Sequence, residues 1–115
     1  MSEIESLTKT AVKFRDDRDW KQFHNPKDCA ISLALEAAEL LEHFQWKTGD
    51  AVDAHIRDNK EEIADELSDV MYWVLLMAND LGIDIREAFL KKIEKSALKY
   101  PVEKSRGSNK KYTQL

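Results

Sequence analysis

Apolar positions along this chain recur with a helical period, not the alternation of a strand. Ile4, Leu7, Ala11 and Phe14 form one stripe, and Ser2 with Glu5 has capping-box spacing, so a helix is predicted from about residue 3. The charged run Arg15-Asp-Asp-Arg-Asp19 is expected to end that helix or to run along its exposed end. Asn25-Pro26 reads as a second helix start, with Asn as N-cap and Pro at the first helical position. This helix is predicted to reach about Trp46 and to stop at Thr48-Gly49-Asp50, with Gly49 as its C-terminal cap. Residues 50–60 are polar and of mixed charge, a short helix or a loop. A third helix is predicted from about Glu61 to Asn79 or Leu81, broken by Gly82. Asp84 and Glu87 open a fourth, which extends to about Tyr100 and ends at Pro101. The pattern predicts an all-α fold of four main helices, with the second and third antiparallel.

Two stretches interrupt the apolar pattern in the same way. In Cys29–Leu41 the polar side chains are Ser32, Glu36 and Glu39. In Glu66–Ala78, Glu66 and Asp69 head a segment that is otherwise almost wholly apolar. Residues three apart share a helix face, so each rod carries two neighbouring carboxylates. An isolated Glu-x-x-Glu is ordinarily a solvated face. A carboxylate on an apolar rod instead needs a cation, a hydrogen-bond network or a proton. Two such rods facing each other would hold a hard, oxygen-seeking ion such as Mg²⁺ or Mn²⁺.

The remaining composition narrows the setting. At 115 residues the chain has the length of one domain with a small core. Residues 1–101 are expected to form that all-α domain, and residues 102–115 a basic tail. The tail carries Lys104, Arg106, Lys110 and Lys111; its composition favours fraying, or a strap that closes over phosphates. A net charge of −4 gives no footprint for a nucleic-acid polymer. Cys29 is the single cysteine, which excludes an internal disulfide and fits a buried structural thiol in a reducing compartment. The N-terminus lacks a basic-then-apolar leader pattern, and no apolar run approaches the roughly 20 residues that cross a bilayer. A soluble, cytoplasmic protein without a membrane partner is expected. The apolar helix surface exceeds what four short helices can cover, so oligomerisation is expected too.

Three chemistries compete for the acids. Di-iron carboxylate bundles use Glu-x-x-His units, and His24, His43 and His55 all miss that spacing. A non-enzymatic helical interaction module would leave the acids as buried accidents. Mg²⁺-dependent phosphoryl chemistry would use them to hold the ion that grips phosphate oxygens. For that reading, Lys95 and Lys99 lie one turn apart on the fourth helix, and Trp20, Trp46 and Trp73 offer faces for a base. The loop Trp20-Lys-Gln-Phe-His-Asn-Pro26 is rich in recognition groups, although Trp20 and Phe23 could equally plug the gap between helices.

Glu36-x-x-Glu39, followed after 26 residues by Glu66-x-x-Asp69, resembles the motif of the MazG-like all-α nucleoside triphosphate pyrophosphohydrolases. Arg18-Asp-Trp-Lys-Gln-Phe-His24, Phe44-Gln-Trp-Lys-Thr48, Glu66-Leu-Ser-Asp-Val70, Tyr100-Pro101 and Lys111-Tyr-Thr113 are similar to the dCTP pyrophosphatase branch. The likeness spans roughly residues 10 to 115 and is weakest at 50–60. It implies a four-helix MazG-like bundle, completed as a homodimer or as a dimer-of-dimers homotetramer. It also implies hydrolysis of a (deoxy)nucleoside triphosphate, dCTP or a related pyrimidine, to monophosphate and pyrophosphate, in nucleotide-pool house-cleaning. A different base, such as that of dATP, is the alternative within the family. By the same resemblance Glu36, Glu39, Glu66 and Asp69 would coordinate Mg²⁺, with Mn²⁺ as a substitute, and Glu39 would position or deprotonate the attacking water. Trp20, Lys21, Gln22, Phe23, His24, Trp46, Asp69 and Trp73 would contact the nucleotide, and Lys95 and Lys99 the phosphates. Two positions depart from the branch: Trp73 stands where it has a Tyr, and Ala11 where it has a His.

Overall fold

The computed structural model describes residues 1–115 as helices and turns, without strands. The chain forms two compact units, Met1–Gly82 and Ile83–Leu115.

In the first unit, Ser2 caps α1 (Glu3–Asp16) by accepting the Glu5 N–H at 3.2 Å, as its spacing predicts. Of the expected stripe only Ala11 is fully buried; Leu7 and Phe14 remain about half exposed. The charged end of α1 corrects the sequence reading. Arg15 is 1% exposed, because its guanidinium reaches Asp80 through two hydrogen bonds of 2.7 and 2.9 Å. Such a bidentate pair satisfies both ions and fixes their relative orientation. The chain then reverses through Asp19 at φ 54°, which a short acidic side chain tolerates. The Trp20 N–H returns to the Arg15 carbonyl at 3.1 Å, and Lys21–Phe23 makes one 3₁₀ turn.

Asn25 caps α2 (Pro26–Glu42), its side-chain oxygen accepting the Asp28 N–H at 2.8 Å. This helix stops earlier than the predicted Trp46. At His43 and Phe44 the amides bond three residues back, to Leu40 and Leu41, which tightens the chain into turns. Gly49, expected to cap α2, instead leads into α3 (Asp50–Asp58) at φ 51° and ψ −125°. That backbone region is open to glycine and strained for other residues. The 50–60 segment is thus a helix, joined through Asn59 to α4 (Lys60–Asp80).

Helix α4 is the axis of the unit: α1, α2 and α3 all pack on it, α2 most extensively. Leu75, Leu76 and Ala78 supply its buried face, with Cys29 of α2 and Ala11 of α1 against the same core. Asp80 acts electrostatically on Cys29, at the start of α2, while Glu66 lies with Glu39 near its end, so α2 and α4 run antiparallel as expected. Gly82, at φ 67°, ends the unit.

In the second unit Asp84 caps α5 (Ile85–Lys99), accepting the Glu87 N–H at 3.1 Å. The segment after Pro101 is more ordered than its composition implies, with one helical turn, α6 (Val102–Ser105), and a 3₁₀ turn over Tyr112–Gln114. Tyr112 stands edge-on to Tyr100 at 5.8 Å, and the Lys99 ammonium lies 5.0 Å from the Tyr112 ring centre. Four long helices, α1, α2, α4 and α5, match the predicted number, and no helix is long and apolar enough to cross a membrane.

Candidate active site

Packing α2 against α4 brings Glu36, Glu39 and Glu66 together, with one carboxylate oxygen from each within 4.8 Å of the others. Glu36 and Glu66 are half-buried; Glu39 is exposed. Glu36 Oε2 and Glu66 Oε2 are shielded from solvent and meet no hydrogen-bond donor. Burial, followed by the closeness of Glu39 and the charge of Asp69, pushes the Glu36 carboxyl up to about 7. Burial and Glu39 likewise push Glu66 upward. Crowded acids with orphaned oxygens are costly without a counter-charge. The donor set is all oxygen, which suits a hard divalent cation, so the residues present fit the ion expected from the sequence.

Asp69 is one helical turn further along α4 and is not among the three clustered acids. It lines a separate apolar cavity of about 450 Å³ between α1 and α4, with Leu7, Thr10, Ala11, Phe14, Ser68, Met71, Tyr72 and Leu75. Its charge still reaches Glu36 and Glu66, raising both. Asp69 therefore stands between the acid cluster and a greasy hollow.

The aromatic loop is tied to that hollow. Trp20 meets Phe14 edge-on at 5.7 Å, and Phe14 meets Tyr72 at 6.0 Å. His24 packs edge-on to Trp73 at 5.0 Å, and Trp73 lies 5.3 Å from Tyr72. The Arg18 guanidinium sits 3.8 Å over Phe14 and 5.8 Å from Trp20. Gln22 turns back onto Asp19, bonding its carbonyl and carboxylate at 3.0 and 2.9 Å. Lys21 and Phe23 are exposed. Trp46 is 86% exposed on the turn after α2. Lys95 and Lys99 are exposed on α5 of the second unit.

Sequence reasoning missed Tyr72 as a cavity wall. Its signal was its position three residues after Asp69, on the same helix face. Also missed were His43 and His55, which line a cleft of about 490 Å³ with Glu39, Glu42 and Glu66. The sequence signal for His43 was its place one turn beyond Glu39. His55 had none, since its segment could have been a loop.

An acid-lined pair of antiparallel helices with these flanking words places the chain in a defined class. Residues 31–115 match the model of the MazG-like family, and the chain belongs to that family. Two curated relatives are the dCTP pyrophosphatase 1 proteins of Mus musculus and Homo sapiens, 36% and 34% identical over 114 residues, each match covering 97% of this chain and 67% of the relative. Among solved structures, a pyrophosphatase from Archaeoglobus fulgidus superposes with a TM-score of 0.81 at 35% identity, covering 88% of this chain and 94% of its own.

Proposed function

We propose that this protein hydrolyses deoxynucleoside triphosphates, with dCTP or a related pyrimidine nucleotide preferred, to the monophosphate and pyrophosphate. The observation that carries the reading is the trio Glu36, Glu39 and Glu66 with two orphaned carboxylate oxygens, in a chain of the MazG-like family. The dCTP pyrophosphatase names of its relatives support the substrate class.

Glu36, Glu66 and Asp69, with Glu39, would hold Mg²⁺, for which Mn²⁺ could substitute. Such an ion, when bound, neutralises and polarises phosphate oxygens. Glu39, the exposed member of the trio, orients a water and takes its proton as the water oxygen bonds to the α-phosphorus. The bond from that phosphorus to the bridging oxygen breaks, and pyrophosphate leaves with the electron pair. Nucleoside binding is assigned to the cavity beside Asp69, whose volume of about 450 Å³ is in the usual range for small-molecule sites. Trp20, Lys21, Gln22, Phe23, His24, Trp46 and Trp73 are assigned to the nucleotide, and Lys95 and Lys99 to the phosphates. Ile31, Leu35, Leu41, Leu67 and Met71 are exposed on α2 and α4, which supports a homodimer or a homotetramer built from dimers. Removal of surplus or unwanted triphosphates from the nucleotide pool is the role this activity would serve.

The deciding experiment is product analysis on a panel of nucleoside triphosphates with and without Mg²⁺. Expected are monophosphate and pyrophosphate, dependent on the ion and fastest with dCTP. Glu39→Ala and Asp69→Ala should each lower turnover by at least about 10²-fold while circular dichroism stays helical. Faster turnover of another base would keep the chemistry and move base selection to Ala11 and Trp73. A protein that leaves every triphosphate intact would remove the reading in favour of a helical interaction module.

A further inference from the structure

The cleft beside the acid trio holds two imidazoles that the reaction above does not use. His43 lies on the turn that closes α2, and His55 on α3; His43 Nδ1 and His55 Nε2 are 2.8 Å apart. On the far side of the His55 ring, Asn59 Nδ2 is 3.1 Å from His55 Nδ1. The same amide nitrogen is 3.1 Å from the His55 backbone carbonyl oxygen.

These contacts determine where the ring hydrogens are. An amide nitrogen only donates. The bond to the His55 carbonyl sets which way the Asn59 amide is turned, since its own oxygen there would face another oxygen. His55 Nδ1 must then accept, and it carries no hydrogen. Its hydrogen is on Nε2, which donates to His43 Nδ1. His43 in turn carries its hydrogen on Nε2, at the donor end of the chain. A cationic His55 would set an N–H against the amide N–H of Asn59, so the geometry itself requires a neutral ring. Partial burial, then the charge of Lys47, lowers the His55 pKa, in agreement. Phe44 stands edge-on to His55 at 6.2 Å and walls the ring in place.

We propose that His43 is a phosphate-contacting residue of this site, offering Nε2–H as a neutral donor to a phosphate oxygen of the triphosphate, and that His55 and Asn59 are positioning residues that hold its tautomer. The proposal rests on the pyrophosphohydrolase reading. The other side chains lining the cleft, besides the two imidazoles, are the carboxylates Glu39, Glu42 and Glu66, which repel a phosphate. An N–H there offsets that repulsion directly. Being neutral, it does so without competing for the cation the acids are built to hold. The fixed tautomer means that no reorientation is needed when substrate arrives.

The test combines ¹⁵N NMR of the imidazole rings with kinetics. In the wild-type protein His43 should show an unprotonated Nδ1 and a protonated Nε2, and Mg²⁺ with inorganic pyrophosphate should shift the Nε2 signal. His43→Phe should lower kcat/KM for dCTP about 10-fold or more, the scale of one hydrogen bond to a charged group. His55→Phe, which keeps a ring but no donor, should lose nearly as much, whereas His55→Gln, which keeps a donor, should recover most of it. The double variant His43→Phe/His55→Phe should be no worse than His43→Phe alone. A hydrogen on His43 Nδ1 in the wild type would overturn the proposal, as would His43→Phe turning over at the wild-type rate. If the wild-type protein hydrolyses no triphosphate, the pyrophosphohydrolase reading fails separately. The His43 signals and their response to pyrophosphate then still decide this assignment, and no response would end it.

Discussion

Helix α4 carries partly buried carboxylates near both ends, and the two ends treat them oppositely. Asp80 is paired: Arg15 holds it by two hydrogen bonds and keeps its carboxyl below the ordinary range. Glu66, about 21 Å earlier along the helix by its rise, has no cation and shares its space with Glu36 and Glu39. Its carboxyl and that of Glu36 are pushed up. The paired end serves the fold, tying the aromatic loop after α1 to the end of α4. The unpaired end is a standing destabilisation that a bound cation would relieve. Buried charge of the same chemical type thus builds the scaffold at one end and, on the function proposed above, a binding site at the other.

The sharpest way to break this contrast is to unpair the paired end. Arg15→Met leaves Asp80 without its partner and should cost about 3–5 kcal/mol in denaturant unfolding. Arg15→Met/Asp80→Leu should recover much of that loss, because neither charge is then stranded. Equal instability of the single and double variants would show that the packing of the Arg15 stem, not the charge pair, holds this end.

The converse change at the other end has the opposite sign. Glu36→Gln removes a crowded carboxylate and should raise the melting temperature of the metal-free protein by a few degrees. The wild-type protein should gain about 2.7 kcal/mol when Mg²⁺ is present at 100 times its dissociation constant, and Glu36→Gln should lose most of that gain. A variant that is less stable without metal and equally responsive to it would remove Glu36 from the ion site.

The smallest effect is on pH, and it separates the ends without mutation. A carboxyl raised to about 7 in the folded state binds its proton more tightly there than in the unfolded chain. The metal-free protein should therefore become more stable as pH falls through 7, levelling off towards the ordinary carboxylate range. Asp80, whose carboxyl is lowered, contributes stability that is fully present above its unfolded value and lost as pH falls through its folded one. Stability of the metal-free protein should thus pass through a maximum in mildly acid solution. Mg²⁺ stabilisation should shrink over the range in which the Glu36 site takes up its proton. Thermal melts from pH 4 to 8, with and without Mg²⁺, would check both trends.

Much of this was legible in the sequence because it is local. The caps at Ser2, Asn25 and Asp84 and the break at Gly82 depend on spacings of a few residues, and the structure has them where the pattern predicts. The acid pairs were visible for the same reason, since three-residue spacing on an apolar helix is a conflict that any reader of the chain can see. The end of α2 differs because propensity carries a helix through His43-Phe44-Gln45-Trp46, while the His43 and Phe44 amides bond three residues back. Arg15 was read as an exposed charge because its partner lies 65 residues away. His43 and His55 are 12 apart and meet only because 50–58 is a helix packed on α4.

What the sequence by itself determined is therefore the four long helices, their starts, and the acid type and spacing on two of them that suit a hard cation. These follow from forces acting within one or two turns, where side-chain periodicity and backbone hydrogen bonding leave few alternatives. The tertiary structure alone decided which charges are paired and which are left crowded. It separated Asp69 from the close trio and set it at the cavity, and it brought the two imidazoles to the cleft. Those outcomes depend on which surfaces α4 presents to three different helices, and a buried charge or a ring tautomer is defined only by the partner that packing brings to it.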